Sequence, residues 1–159
     1  MLRSEDRRVS THSTALASQE KWEWEAYSPL TSHPKGVLVH YRETILWQKA
    51  MEAAKEGYRL APSLPREETY GMRSQFTRAL VSVPANIAEG WTRESDREKA
   101  QFLAIAHGSV AEAETLLTLC EQIGWFPEVE TATLRALLGE VSRILTTLRK
   151  KFRAQERAA

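Results

Sequence analysis

The sequence predicts an all-α fold, an up-down-up-down antiparallel four-helix bundle. Four segments repeat apolar residues at spacings of three and four, the period of a helix with one buried face. The links between them are each roughly five residues long, and such short links make neighbouring helices antiparallel. No segment shows the alternation of a strand. The 159 residues suit one domain with a hydrophobic core, predicted as a bundle at 37–155 and a tail at 156–159.

An irregular N-terminal extension is predicted for residues 1–36. Its first half is rich in Ser, Thr and charge without a steady period, which favours disorder in isolation. The stretch KWEWEAYSPL then brings in Trp22, Trp24 and Tyr27, whose rings are costly to leave in water. Two interpretations stay open: a strap on its own domain, or a docking peptide for a neighbouring subunit or partner.

The first helix is predicted from about Leu38 to Ala61, and Pro62 and Pro65 end it. We expect one face of this helix to turn toward the core. That apolar stripe consists of Leu46, Trp47, Ala50, Met51, Ala54, Tyr58 and Ala61.

The second helix is predicted from about Arg66 to Glu89. Glu67 and Glu68 fall in its first turn, where acidic side chains complement the helix dipole. Gly90 follows as a predicted left-handed terminator. The apolar stripe consists of Met72, Phe76, Ala79, Leu80, Val83 and Ile87.

Pro84 lies inside this second helix, within the stretch SVPANIAEG. A proline there has no N–H for the carbonyl of Leu80 and costs about 3 kcal/mol in a helix interior. The apolar stripe nevertheless continues from Leu80 and Val83 to Ile87 without losing phase. The sequence therefore predicts a kinked but continuous helix rather than a turn.

The third helix begins at SDRE, residues 95–98, which has the spacing of a capping box, and Gly124 is predicted to close it. The fourth helix follows Pro127. The stripe of the third consists of Phe102, Leu103, Ala106, Val110, Ala113, Leu117 and Cys120. That of the fourth consists of Leu134, Leu137, Leu138, Val141, Ile144, Leu145, Leu148 and Phe152.

Motifs for catalysis or cofactor binding are missing from the sequence. No two histidines have metal-ligand spacing on a helix, and the Glu-x-x-His pair of di-metal bundles does not occur. Neither a nucleophile elbow nor a phosphate-binding glycine loop is present. Cys120 lies in an apolar stripe and fits a small core residue. We therefore predict no enzymatic activity, no metal and no cofactor.

A cytoplasmic protein without a membrane partner is expected. No apolar run approaches 18 residues, and the N-terminus lacks the apolar core of a secretory signal. The single cysteine excludes an intramolecular disulfide framework.

The net charge of +1 hides a basic C-terminus. Residues 41–142 hold eleven Lys/Arg and fifteen Asp/Glu, whereas residues 143–159 hold six Lys/Arg and one Asp/Glu. The six cations are Arg143, Arg149, Lys150, Lys151, Arg153 and Arg157. They either complement a helix dipole and aid solubility, or contact nucleic acid or an acidic protein.

A polar stripe accompanies the apolar stripe of the second helix, about 110° away at 100° per residue. A solvated face would more naturally carry Lys and Glu, so Gln, Ser and Asn here indicate an ordered contact. The members of the polar stripe are Gln75, Arg78, Ser82, Asn86 and Glu89.

Several stretches resemble one known family: WQKA at 47–50, SVPANIAEG at 82–90 and IAHGSVAEAE at 105–114. Over roughly residues 41–150 the chain resembles the 23S rRNA intervening-sequence proteins. It departs from their pattern at Val110 and Ala113, where leucines are usual, and at His107, where a basic residue is frequent. The accessory variability determinant of diversity-generating retroelements is a related bundle.

The resemblance implies a homopentamer of four-helix bundles with no established enzymatic activity. The related determinant is a pentamer that binds a reverse transcriptase and its RNA. The resemblance also implies that the polar stripe, together with Glu112 and Glu114 on the third helix, lines a shared polar seam or a subunit interface.

Three functional hypotheses follow. The leading one is a non-enzymatic homo-oligomeric scaffold that binds RNA or a ribonucleoprotein through its basic C-terminal segment. Because residues 41–142 are net acidic, that contact must be local. The alternative is a protein-interaction accessory subunit, for example of a reverse transcriptase. The third is a small-molecule or hydrolytic site around Asn86, Glu89 and Glu112.

Overall fold

A computed structural model of the chain describes residues 40–158, and the predicted extension at 1–36 lies outside these residues. Within them the regular structure is entirely helical, as predicted. Consecutive helices pack on one another, and the first also packs on the last, which closes the bundle. The helices are α1 (Ile45–Leu60), α2 (Met72–Trp91), α3 (Asp96–Gln122) and α4 (Glu128–Ala158), with 3-10 turns at Tyr41–Glu43, Ala61–Ser63 and Arg66–Glu68.

The core consists mainly of the predicted apolar stripes, whose members on α2, α3 and α4 are buried or half-buried. At one end, the rings of Phe76 and Phe126 pack with their centroids 5.8 Å apart. On α1 the prediction was wrong for Tyr58, which is 55% exposed. The face of α1 is instead completed by three small or apolar residues that the predicted stripe omitted: Ala53, Gly57 and Leu60.

Two helices begin later than predicted. Thr44 is the N-cap of α1, because its Oγ1 accepts a hydrogen bond from the Trp47 N–H at 3.2 Å. The segment predicted as the first turn of α2 forms the 3-10 turn Arg66–Glu68 instead. From there the Glu68 carboxylate accepts the Met72 N–H at 2.9 Å, so it stabilises the start of α2 from outside the helix.

Helix α2 runs through Pro84 without interruption, and the proline is buried in the bundle. The predicted continuity of this helix is therefore confirmed, while the kink stays a prediction. The unbroken helix keeps Ser82 and Asn86 one turn apart on a single face.

The prediction that Gly90 ends α2 in a left-handed conformation was wrong. The helix continues to Trp91, and Thr92 caps it with helical backbone angles. Gly90 instead lies where α2 and α3 approach closely, because a Cβ on this residue would be 2.8 Å from the Cβ of Phe102. The missing side chain is thus needed for packing between helices and not for backbone conformation.

Both predicted ends of α3 are confirmed. At its start, Ser95 Oγ accepts the Glu98 N–H at 3.2 Å and donates to Glu98 Oε2 at 2.7 Å. At its end, Gly124 has φ +78°, the only positive value among the described glycines. The N–H groups of Gly124 and Trp125 then donate to the carbonyls of Glu121 and Cys120, a Schellman motif.

Helix α4 extends to Ala158, three residues beyond the predicted end of the bundle. All six C-terminal cations therefore lie on one regular helix, so their directions follow from the helical period.

Candidate nucleic-acid interface and interhelical contacts

The centre of the polar stripe forms a hydrogen-bonded chain from α2 to α3. Asn86 Nδ2 donates to Ser82 Oγ at 3.0 Å and to the Ser82 carbonyl at 2.8 Å, and Ser82 Oγ lies 2.9 Å from Ser109 Oγ. Ser109 Oγ donates to the Ile105 carbonyl at 3.2 Å. Because this uses the only proton of the Ser109 hydroxyl, Ser82 must donate to Ser109. The chain therefore runs in one direction, from Asn86 to Ile105.

The other members of the polar stripe do not join this chain. Arg78 Nη2 lies 4.0 Å from Glu112 Oε1, and both side chains are largely solvated. Such a pair contributes at most about 1 kcal/mol. Glu89 forms an ion pair with Arg93 one turn along, and Gln75 is exposed. Glu114, predicted to join the stripe from α3, is half-buried, and none of these pairs includes it.

The three groups of the hydrolytic hypothesis have three different partners. Asn86 is bonded to Ser82, whereas Glu89 pairs with Arg93 and Glu112 with Arg78. Across residues 40–158, no group of three or more His, Cys, Asp or Glu could hold a metal ion. The contacts therefore give this stripe an interhelical role rather than a common reacting position.

Four of the predicted C-terminal cations form one row on α4, which we call the basic stripe: Arg143, Lys150, Arg153 and Arg157. At 100° per residue they fall within about 80°, opposite the buried stripe of this helix. All four are exposed, and none forms an ion pair within residues 40–158. No described residue therefore neutralises the basic stripe along its length.

Arg149 and Lys151 lie outside the basic stripe and are half-buried. Arg149 Nη1 is 3.0 Å from His107 Nδ1, and His107 Nε2 is 2.9 Å from Ser142 Oγ. A guanidinium has only donors, so Nδ1 must accept and Nε2 must carry the proton. Arg149 is therefore held against α3. The sequence alone gave no signal for this cluster, because its members come from two helices.

Ser142 and His107 are not an activated nucleophile and its base. The Nε2 atom that would have to take the serine proton is itself the donor in this tautomer. The other ring nitrogen faces the Arg149 cation, where a catalytic triad places a carboxylate.

A second row of residues on α3, extended by its C-cap Ile123, was missed in the sequence, and we call it the outer seam. Its positions are spaced 4, 3, 4, 3 and 4, as in a coiled-coil seam, about 110° from the buried stripe. Three apolar side chains in it are 46%, 41% and 48% exposed: Ile105, Leu119 and Ile123. A search for heptads would have found it. The full outer seam is Ile105, Ser109, Glu112, Leu116, Leu119 and Ile123.

Cys120, by contrast, belongs to the core. Burial, with lesser contributions from Glu121 and Glu68, raises the pKa of its thiol to about 11. It therefore stays protonated near neutral pH, which suits a packing role rather than a reactive one.

Within residues 40–158, no helix combines the length and the apolar character needed to cross a membrane.

Comparisons with known proteins agree with this architecture. A crystal structure of a protein of unknown function from the S23 ribosomal protein family of Bacteroides thetaiotaomicron has a TM-score of 0.62 and 23% identity. The match covers 67% of this chain and 99% of that chain, and it supports the fold. No curated protein matches the sequence.

The family comparison covers most of the bundle. The family described as 23S rRNA-intervening sequence protein matches residues 42–147. That range contains the hydrogen-bonded chain and the outer seam, whereas the basic stripe beyond Arg143 lies outside it. Because the match spans about two thirds of the sequence, the chain belongs to the 23S rRNA-intervening sequence protein family.

Proposed function

We propose that this protein is a non-enzymatic, homo-oligomeric scaffold that binds RNA, bare or in a ribonucleoprotein, through the basic stripe of α4. The observation that carries the proposal is the row of four exposed cations from Arg143 to Arg157, which form no ion pair with any other residue in the described range 40–158. The row is about 21 Å long at 1.5 Å per residue, which is enough to follow several phosphates of one strand.

The charge distribution favours this surface over the rest of the bundle for RNA. Residues 41–142 are net acidic, so the rest of the bundle does not attract a polyanion. Binding would then depend on local release of counterions, and its affinity would fall steeply with salt. The family description adds a genetic context of ribosomal RNA, but the binding surface itself is argued from the residues of this chain.

Neutralising the basic stripe tests the proposal. We expect the variant Arg143→Gln, Lys150→Gln, Arg153→Gln and Arg157→Gln to lose most of its affinity for a labelled 20-nucleotide RNA in fluorescence anisotropy. The slope of log K against log salt concentration should become shallower by about 3, because each lost contact with a single strand removes about 0.7.

A control variant removes the same charge elsewhere. It carries glutamine at four other exposed cations that form no ion pair within residues 40–158: Arg42, Lys55, Arg66 and Arg97. We expect it to retain most of the affinity and nearly the whole slope. Equal losses in the two variants would mean that net charge, and not the basic stripe, controls binding.

A protein partner is the second candidate, because a row of cations also fits an acidic protein surface. Purifying the protein with its partners from the native host, with and without ribonuclease, distinguishes an RNA partner from a protein partner. A stoichiometric protein, such as a reverse transcriptase, that stays bound after RNA digestion supports the accessory-subunit function. Loss of all partners on digestion supports RNA binding.

The outer seam supports the oligomeric part of the proposal. Its 18-residue length corresponds to about 27 Å, and α2 and α3 together are about 20 Å wide. Each copy could bury roughly 540 Å² there, so two copies would bury about 1,100 Å², above the ~1,000 Å² of a stable interface. The pentameric number is what the family resemblance implies.

A further inference from the structure

We propose that His107 is a proton-operated latch that holds Arg149 away from RNA when it is neutral and releases it when it is protonated. The inference rests on the RNA-binding function proposed above and adds its regulation. Its starting observation is that Arg149, one of the six C-terminal cations, is bonded to a titratable side chain of another helix.

The latch depends on the tautomer of one imidazole ring. In the neutral form, the lone pair of Nδ1 accepts a hydrogen bond from Arg149 Nη1 at 3.0 Å. Protonation places a hydrogen on Nδ1, so two donors would then face each other across this distance. It also places an imidazolium charge beside a guanidinium that stays charged at every accessible pH. Both changes act against the same contact.

Among the described residues 40–158, the nearest neighbours of His107 provide no carboxylate to compensate a second charge. Its neighbours one turn away on α3 are uncharged: Leu103, Ala104, Val110 and Ala111. From α4 it meets Arg149 and the neutral Ser142, with Arg143 next to Ser142 and Arg153 one turn beyond Arg149. On the same side of α3, Glu114 is two turns away. α2 meets the opposite side of α3, where its contacts include the Ser82–Ser109 hydrogen bond and the Arg78–Glu112 ion pair.

Release would extend the basic stripe by one cation. At 100° per residue, Arg149 is about 40° from Arg153 around α4 and one turn from it along the axis. A guanidinium on a long flexible stem can cross that distance without movement of the backbone. The stripe would then present five cations in place of four. Imidazole side chains ordinarily change charge between pH 5 and 8, so a test of the latch must compare the two ends of that interval.

The first test compares RNA binding at pH 8.0 and pH 5.5. For the full-length protein, one added phosphate contact should strengthen binding about fivefold in 0.1 M salt and steepen the salt slope by about 0.7. The variant His107→Gln can still offer Arg149 an oxygen acceptor but cannot be protonated, so it should lose this gain. The control His40→Gln removes an exposed histidine directly before the 3-10 turn Tyr41–Glu43, and this variant should keep the gain in affinity at pH 5.5. Equal pH responses in the protein and in His107→Gln would overturn the latch.

The second test needs no RNA. Nitrogen-15 NMR of the full-length protein follows the Arg149 Nε–H and His107 ring signals as the pH is lowered. We expect the Arg149 signal to shift and exchange faster with water as His107 is protonated, and to stay unchanged in His107→Gln. If the Arg149 signal stays unchanged while His107 is protonated in the natural sequence, the latch is overturned, even if the variant does not fold. Release seen here without RNA binding at either pH would reject the proposed function and leave the latch supported.

Discussion

At the scale of single residues, two glycines of the bundle have opposite roles although both lie within helices. A Cβ at Gly90 would be 2.8 Å from the Cβ of Phe102, a backbone-proximal atom that cannot rotate away. A Cβ at Gly108 would meet nothing within 4 Å. The same substitution should therefore change stability in opposite directions at these positions.

We expect Gly90→Ala to lower the free energy of unfolding by about 1–3 kcal/mol, because α2 and α3 must move apart. Gly108→Ala should raise it by about 0.5–1 kcal/mol, because alanine favours a helix interior. Urea denaturation followed by circular dichroism measures both. A stabilising alanine at residue 90 would show that the interhelical packing there is looser than described.

The hydrogen-bonded chain also shows what a sequence can specify at this scale. The residue types of the polar stripe indicated an ordered contact, and Ser82 and Asn86 do make one. Their partner Ser109 was not identified, because it lies on another helix and its own spacing fits a solvated position. Gly90 was predicted to have a structural role, but the predicted role, a left-handed helix end, was wrong. A helix-ending glycine and a close-packing glycine look the same until the neighbouring helix is in place.

At the scale of helices, the start of α3 is held by a hydroxyl that makes two hydrogen bonds. Ser95 Oγ accepts the Glu98 N–H and donates to the Glu98 carboxylate, and the latter bond lowers the pKa of that carboxyl. A depressed carboxyl pKa contributes stability above its unfolded value of 4.5, and this contribution is lost as the pH falls through the folded pKa.

We therefore expect Ser95→Ala to cost about 1 kcal/mol at neutral pH, the usual cost of a lost N-cap. The cost should shrink as the pH falls from 4.5 through the lowered folded pKa of Glu98, because only below that pKa is Glu98 protonated in both proteins. Thermal unfolding between pH 7 and pH 3 measures the difference. In a Glu98→Gln background, the cost of Ser95→Ala should not vary with pH; variation there would assign the effect to another carboxyl.

Helix existence was more predictable than helix ends, for a physical reason. The apolar period extends over many residues and survives local exceptions, so all four helices and the continuity through Pro84 were correct. An end depends on one or two hydrogen bonds. Glu68 could bind the first turn of α2 from inside the helix or from outside it, and the sequence pattern is the same in both cases. The Ser95 and Gly124 signals succeeded because both ends depend on the local chain alone.

At the scale of the whole molecule, charge and exposed apolar surface lie on different sides of the bundle. The basic stripe follows the outer side of α4, whereas the outer seam follows α3 beside α2. Their separation allows one surface to bind a polyanion while the other contacts a second copy. The excess of positive charge near the C-terminus could be predicted from composition. That four of the cations face outward while Arg149 contacts α3 became visible only in the packed helices.

The outer seam gives the last prediction, which concerns assembly. Its exposed isoleucines and leucine would be buried between copies, so a charge placed there must be desolvated without a partner. We expect Ile105→Glu combined with Leu119→Glu to reduce the mass measured by light scattering from that of the assembly to the 18.1 kDa of one chain. Circular dichroism should remain helical, because both side chains lie outside the core of their own bundle. The matched control is Val129→Glu, at an apolar residue that is 84% exposed at the start of α4 and is not a member of the outer seam, and the mass of this variant should equal that of the unmodified assembly. If the double variant keeps the mass of the assembly, the copies meet through another face. A natural chain that already measures 18.1 kDa would reject the oligomer itself, and the RNA affinity of that monomer would then show whether the basic stripe acts alone.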